Sequence, residues 1–98
     1  MDAESFAKMQ RALAEPKRLE IMETIRRLHA GSDPEVTCNS VLEQLSIAQS
    51  TFSHHVSELA EAGAITSDKQ GRCYLLAVNE QAVQAYLDEL GKRLLSKN

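Results

Sequence analysis

The chain has no run of about eighteen apolar residues, so no segment is expected to cross a membrane. Its opening residues, Met1-Asp2-Ala3-Glu4, lack the basic start and apolar core of a secretory signal, and a cytosolic protein is expected. Two cysteines, Cys38 and Cys73, are too few for the disulfide framework that staples small secreted domains. There is no low-complexity tract, internal repeat, linker or long run of one charge, which argues against disorder and against a second domain. Nor is there a surplus of positive charge. The formal net charge is −3, so affinity for a polyanion has to come from where cations and hydrogen-bond donors are placed. No glycine-rich phosphate loop and no metal-ligand spacing occurs, and no cofactor is expected.

What the 98 residues do contain is a succession of short amphipathic segments. Ser5 to Ala14 carries Phe6, Met9 and Leu13 at helical spacing, which predicts a first helix with one apolar stripe. Pro16 fits the first position of a second helix, where a missing N–H costs nothing. Leu19, Met22, Ile25 and Leu28 step by threes along it, Ile21 widens the stripe, and Gly31 with Pro34 supplies the stop. Lys17, Arg18, Arg26 and Arg27 fall mostly off the stripe and read as a solvated face. Glu35-Val36-Thr37 leans towards strand and leads into a short helix, Asn39–Leu45. Ser46-Ile47-Ala48 joins that helix to a longer one, Gln49–Ala62, whose buried row is Phe52, Val56 and Leu59. Two helices joined by so short a turn form a helix-turn-helix.

Gly63 closes the longer helix, and the period then changes. Ile65-Thr66-Ser67, a turn at Asp68-Lys69-Gln70-Gly71, and the run Arg72 to Val78 read as a β-hairpin. Asn79 suits the N-cap of a last helix, with Glu80 favoured by the helix dipole. Val83, Leu87, Leu90 and Leu94, with Tyr86 alongside, make its stripe. The predicted fold is mainly α with a small β-hairpin: a winged helix-turn-helix in the order helix, helix, helix, helix, hairpin, helix, forming one domain over residues 1–98.

A helix fits the width of the major groove of duplex DNA, and a hairpin tip can reach the flanking backbone or the minor groove. Gln49 can pair bidentately with adenine, and His54 can donate to or accept from a base edge. Ser50, Thr51, Ser53 and Ser57 are short donors that reach phosphate oxygens without bulk. No acidic residue interrupts this stretch before Glu58, although the chain is net acidic. At the hairpin tip Lys69 and Arg72 bracket Gln70-Gly71, a natural arrangement for phosphate contact.

The run Ala12-Leu13-Ala14-Glu15-Pro16-Lys17-Arg18-Leu19-Glu20-Ile21 resembles the entry to the second helix of the ArsR family of winged-helix regulators. The stretch Gln49 to Gly63 is similar to that family's recognition helix, with Ser53, His55 and Val56 matching its Ser-x-His-hydrophobic core. Gly71-Arg72, followed by Tyr74 and Leu76, fits the wing, and the resemblance covers Ala12 to Asn79. It implies a homodimeric repressor of double-stranded DNA that pairs through its first and last helices, about 5–14 and 80–95. The stripe residues Phe6, Met9, Leu13, Val83, Tyr86, Leu87, Leu90 and Leu94 then form the interface. It places Ser53 and His54 on DNA and lets His55 bridge core and phosphate. Ala48 stands where the family often has a capping Ser or Thr. The positions of the family's thiolate ligands fall on Thr37, Asn39 and Leu42, and the last helix has no His, so metal sensing of either familiar type is not expected.

Cys38, just before a helix, is a candidate redox residue because a helix dipole lowers a thiol's pKa, and Cys73 on a wing strand is the second. The plainer alternative is two small buried thiols packing as hydrophobes. His29 suits the carbonyls at the end of its own helix. An enzyme is hard to build here: Ser53, His54 and His55 are adjacent on one helix, so their side chains splay apart. The competing reading is a winged helix used only to bind another protein, which the acidic balance favours slightly.

Overall fold

The computed structural model describes residues 1–31 and 35–95. Its elements are α1 (Ala3–Leu13), α2 (Pro16–Ala30), α3 (Cys38–Leu42), α4 (Gln49–Glu61), β1 (Ile65–Gln70), β2 (Cys73–Val78) and α5 (Glu80–Leu94). The strands form one two-stranded antiparallel sheet, so the architecture is the winged helix-turn-helix that the sequence predicts. Pro34, expected to help stop α2, lies outside the described residues.

Local chemistry sets the boundaries. The Asp2 carboxylate accepts from the Ser5 N–H at 2.7 Å and starts α1 two residues earlier than its apolar spacing suggests. Pro16 occupies the first turn of α2. The core face of that helix is Ile21, Met22, Thr24 and Ile25, whereas Leu19 points to solvent, one turn off the stripe expected for it. Thr24 is tolerated inside because its hydroxyl donates to the Glu20 carbonyl at 2.8 Å.

The third helix differs from expectation at both ends. Thr37, not a later residue, is its cap: the Thr37 hydroxyl accepts from the Ser40 N–H at 3.1 Å, and the Ser40 hydroxyl accepts from the Thr37 N–H at 2.9 Å. The helix then tightens, with Gln44 N–H bonded to Val41 O and Leu45 N–H to Leu42 O, both at 3.0 Å. The link to α4 therefore runs from Glu43 to Ala48, longer than the three residues read from sequence. Glu35-Val36-Thr37 forms no strand of its own. Thr37 makes a single bridge to Leu75, and Leu76 N–H donates to Val36 O at 2.8 Å, so this segment hooks the base of the wing to α3.

Gly63 ends α4 with φ +81°, a left-handed conformation that a side chain would strain. Its N–H meets Ala60 O and the Ala64 N–H meets Leu59 O, the paired bonds of a Schellman closure. The wing turns later than expected. Asp68, Lys69 and Gln70 belong to β1, Gln70 pairs with Cys73, and Gly71-Arg72 alone forms the loop. Gly71 has φ +62° and Arg72 does not go positive, the pattern of a type II′ hairpin.

The centre of the core is Met9, Ile21, Ile25, Val36, Val41, Leu59 and Leu76, all essentially without solvent contact. Each is worth roughly 1.5–3 kcal/mol of burial. The last helix contributes no fully buried residue. It is held at its side by Phe6, whose ring lies 5.2 Å from that of Tyr86 and 4.4 Å beneath the Arg93 guanidinium. Its start is held by Asn79, whose side chain caps α5 through the Ala82 N–H at 3.2 Å while its own N–H donates to Ala64 O at 2.9 Å.

Candidate nucleic-acid interface

The apolar row Phe52, Val56 and Leu59 seats α4 in the core and turns the opposite side outward. Gln49, Ser50, Thr51, Ser53, His54 and Ser57 are all exposed on it. Ala48 at the N-cap has extended backbone (φ −68°, ψ 149°) and offers no side-chain acceptor, so the first N–H groups of α4 are left for solvent or an anion. The Glu58 carboxylate lies one turn along, with an oxygen 3.8 Å from His54 Nε2.

Between α3, α4 and the wing runs an open groove of about 370 Å³. Gln49, Ser53 and Ser57 line one wall at successive turns of α4, and Ser67 and Tyr74 line the other. Because residues alternate across a strand, Lys69 shares the hairpin face of Ser67 and Tyr74, and Lys69 and Tyr74 are directly paired. Arg72 sits in the loop itself, exposed. Gln49, Ser53 and Ser57 of α4 thus share one concave surface with Ser67 and Tyr74 of the wing, and Lys69 and Arg72 lie further out along the hairpin. Tyr74, exposed and lining the groove, was given no site role from the sequence; its signal was an aromatic in an otherwise apolar strand.

Several expected site residues lie elsewhere. His55 does not join the outward face: it is 8% exposed, on the buried row between Phe52 and Leu59. Its Nδ1 accepts a hydrogen bond from Arg18 Nε at 3.0 Å, so this nitrogen has no free valence for phosphate. Arg18, read as part of a solvated face, is half-buried for the same reason. Burial first, then the Arg18 charge, push the His55 imidazole below its ordinary 6.5. Met9 and Phe6 are buried within the protomer and leave no area for a partner, and Leu13 is half-buried against the same core.

The two thiols divide between the alternatives, Cys38 partly buried against the core and Cys73 exposed. Cys38 is the first residue of α3, half-buried at the groove, and burial raises its pKa above 9.0, which opposes activation by the dipole. Cys73 is exposed, so it is not a packed hydrophobe, and it lies on the hairpin face opposite Tyr74.

With this geometry in view, the relatives are informative. A family profile described as a helix-turn-helix domain matches residues 13–68, more than half the chain. Over 86 residues the chain is 34% identical to the uncharacterized HTH-type transcriptional regulator YceK of Bacillus subtilis, spanning 88% of this chain and 82% of that protein. It is 26% identical to the arsenical resistance operon repressor of Staphylococcus xylosus, over 96% of this chain and 81% of that one. The crystal structure of an ArsR family transcriptional regulator superposes with a TM-score of 0.74 at 25% identity, covering 100% of this chain and 98% of the other. The chain belongs to the ArsR family of helix-turn-helix transcriptional regulators. It is a family of regulators rather than enzymes. This ArsR-type chain carries the family's fold from α1 to α5, although the matched helix-turn-helix segment itself ends at Asp68, short of the wing tip.

Proposed function

We propose that this ArsR-type protein represses transcription as a homodimer bound to an inverted-repeat operator, with α4 in the major groove and the wing on the flanking backbone. The observation that carries the reading is the outward side of α4. Gln49, Ser50, Thr51, Ser53, His54 and Ser57 present donors and acceptors with no carboxylate before Glu58, next to a hairpin bearing Lys69 and Arg72. Gln49 and His54 read base edges, the hydroxyls take phosphates, and the two cations set register without reading sequence. Residues 1–98 act as one unit.

The second copy covers α5. Leu87 is 52% exposed and Leu94 72%, on a helix with no buried residue, and Val83, Tyr86 and Leu90 continue the same side. A twofold axis along this face gives each half-site one reading helix, with half-sites about one helical turn, roughly 10 bp, apart. The repressor assignment draws on the Staphylococcus xylosus relative. Thr37, Asn39 and Leu42 occupy the positions of the family's thiolate ligands, so the signal is not a thiolate-bound metal. Of the two thiols, exposed Cys73, next to Arg72, is the one through which oxidation would reach DNA, and operator binding that ignores diamide and reductant removes that role.

The test is fluorescence anisotropy with duplexes tiled across the DNA flanking its own gene, repeated over a salt series. A repressor selects one duplex and loses affinity steeply with salt, with a log–log slope of about −0.9 per neutralised phosphate. The competing reading, a winged helix that binds only protein, is favoured by the net charge of −3 and predicts no saturable complex with any duplex.

A further inference from the structure

The Arg18–His55 contact spans more of the molecule than its length suggests. Arg18 stands in the first turn of α2, and its Nε donates to His55 Nδ1 in the middle of α4 at 3.0 Å. The same guanidinium reaches the Arg11 carbonyl near the end of α1 at 3.5 Å. One side chain therefore ties α1 and α2 to the helix that carries the candidate DNA face. His55 directly follows Ser53 and His54 on that helix.

Chemistry makes this tie conditional. Arginine is always protonated and can only donate, so His55 must keep a lone pair on Nδ1 and carry its proton on Nε2. A second proton would occupy Nδ1, remove the acceptor and set two cations 3.0 Å apart. His55 keeps 8% of its surface exposed, and a solvent-open cleft of about 350 Å³ is bordered by its partner Arg18, so water reaches the contact. The charged groups acting on the imidazole are Arg18 and Glu15 at the start of α2 and His54 on α4 itself, and the cleft that Arg18 borders is also lined by Lys8, Arg11, Glu58 and Glu61. The cations and burial outweigh Glu15 and favour the neutral ring.

We propose that Arg18 and His55 form a latch that sets the orientation of the recognition helix, and that protonation of His55 releases it and weakens DNA binding. Side-chain tips lie about 5–6 Å from a helix axis, so a rotation of about 10° displaces them by about 1 Å. Hydrogen bonds to base edges tolerate only about half that range. Arg18 and His55 are thus positioning residues, not contacts. The latched state binds fewer protons, so it is fully favoured above the ordinary histidine value and loses ground as pH falls through it.

This inference rests on the DNA-binding reading, and two measurements keep their failures apart. The first needs no DNA: NMR of the imidazole nitrogens in the intact protein. His55 is expected as the Nε2–H tautomer at neutral pH, titrating below an exposed histidine, and the Arg18→Met variant should return it towards the ordinary value. A His55 that titrates at or above the ordinary histidine value, or that ignores Arg18→Met, overturns the latch whatever the DNA result. The second compares wild type with His55→Gln, whose amide oxygen can accept from Arg18 at any pH, on the duplex carrying the operator. Between about pH 7.5 and 5.5 the wild type should weaken at least about threefold relative to His55→Gln, while the two agree within about twofold at the upper pH. Taking the ratio cancels the pH dependence that the two proteins share. Parallel pH profiles overturn the switch. Should His55→Gln fail to fold, Arg18→Met takes its place and should be weaker than wild type at pH 7.5 and insensitive to acid. If no protein binds any duplex, the DNA reading fails and the NMR result alone judges the latch.

Discussion

Replacing Leu87 by Ala probes the surface that the repressor reading depends on most. The change deletes about three carbon groups, each worth about 0.8 kcal/mol when buried. Leu87 is 52% exposed in the protomer, so about half of that sum, ~1.2 kcal/mol, is available to a partner. A twofold axis counts the change twice and brings the full effect to ~2.5 kcal/mol, which raises the dimer dissociation constant about sixtyfold; covering only half the available area still gives roughly eightfold. The inner half of the side chain packs within its own subunit and costs the protomer about 1 kcal/mol, partly offset by the better helix propensity of alanine. Sedimentation velocity over a concentration series reads the association directly, and far-ultraviolet circular dichroism confirms that the helices persist. The expected result is a midpoint of dimerisation shifted to higher concentration, with operator affinity falling in step. A Leu87→Ala protein that sediments like wild type at every concentration would refute the placement of the interface on α5. So would a wild type that binds its operator with full affinity as a monomer.

Three further outcomes are expected. Arg72→Ala should weaken binding to many duplexes alike and flatten the salt slope by about 0.9 per lost phosphate, about 1.8 for a dimer; an unchanged slope removes the wing contact. His54→Ala should relax base preference at one position of each half-site by about 1–3 kcal/mol in competition anisotropy, and an unchanged preference shows that His54 reads no base. Ala48→Ser supplies the acceptor missing at the start of α4, where the backbone is already extended. It should raise unfolding free energy by about 0.5–2 kcal/mol in urea titration, and no gain would mean that those N–H groups are already satisfied by water.

The features legible in the sequence are those that simple spacing encodes. Phe52, Val56 and Leu59 locate α4, Pro16 and Asn79 mark helix starts, and Gly63 marks a helix end, all as found. His55 was expected to bridge core and phosphate; lying three residues from Phe52 and four from Leu59, it sits squarely on the inward side. Arg18 hides in the same way, three and four residues before Ile21 and Met22. Neither partner makes sense inside alone, and no local pattern links positions so far apart in the chain. The wing turn was misjudged because Asp68, Lys69 and Gln70 are poor strand formers; pairing with Cys73, Tyr74 and Leu75 overrides that preference. The Gly71-Arg72 pair was itself a hairpin signal. Met9 and Phe6 look available for a partner in a helical stripe, but only three-dimensional packing reveals that the same subunit has already claimed them.

The bond from Asn79 N–H to Ala64 O joins the residue that begins α5 to the one that completes the closure of α4. In the proposed dimer it would work like the pivot of a caliper: one arm would reach towards the twofold axis, the other towards the base pairs, and a change of angle at the pivot would move both tips. In such an arrangement the spacing a dimer measures along DNA is written into a few backbone atoms far from any nucleotide. Swapping residues 63–65 or 79 between relatives would then alter the preferred gap between half-sites while leaving the preferred bases unchanged.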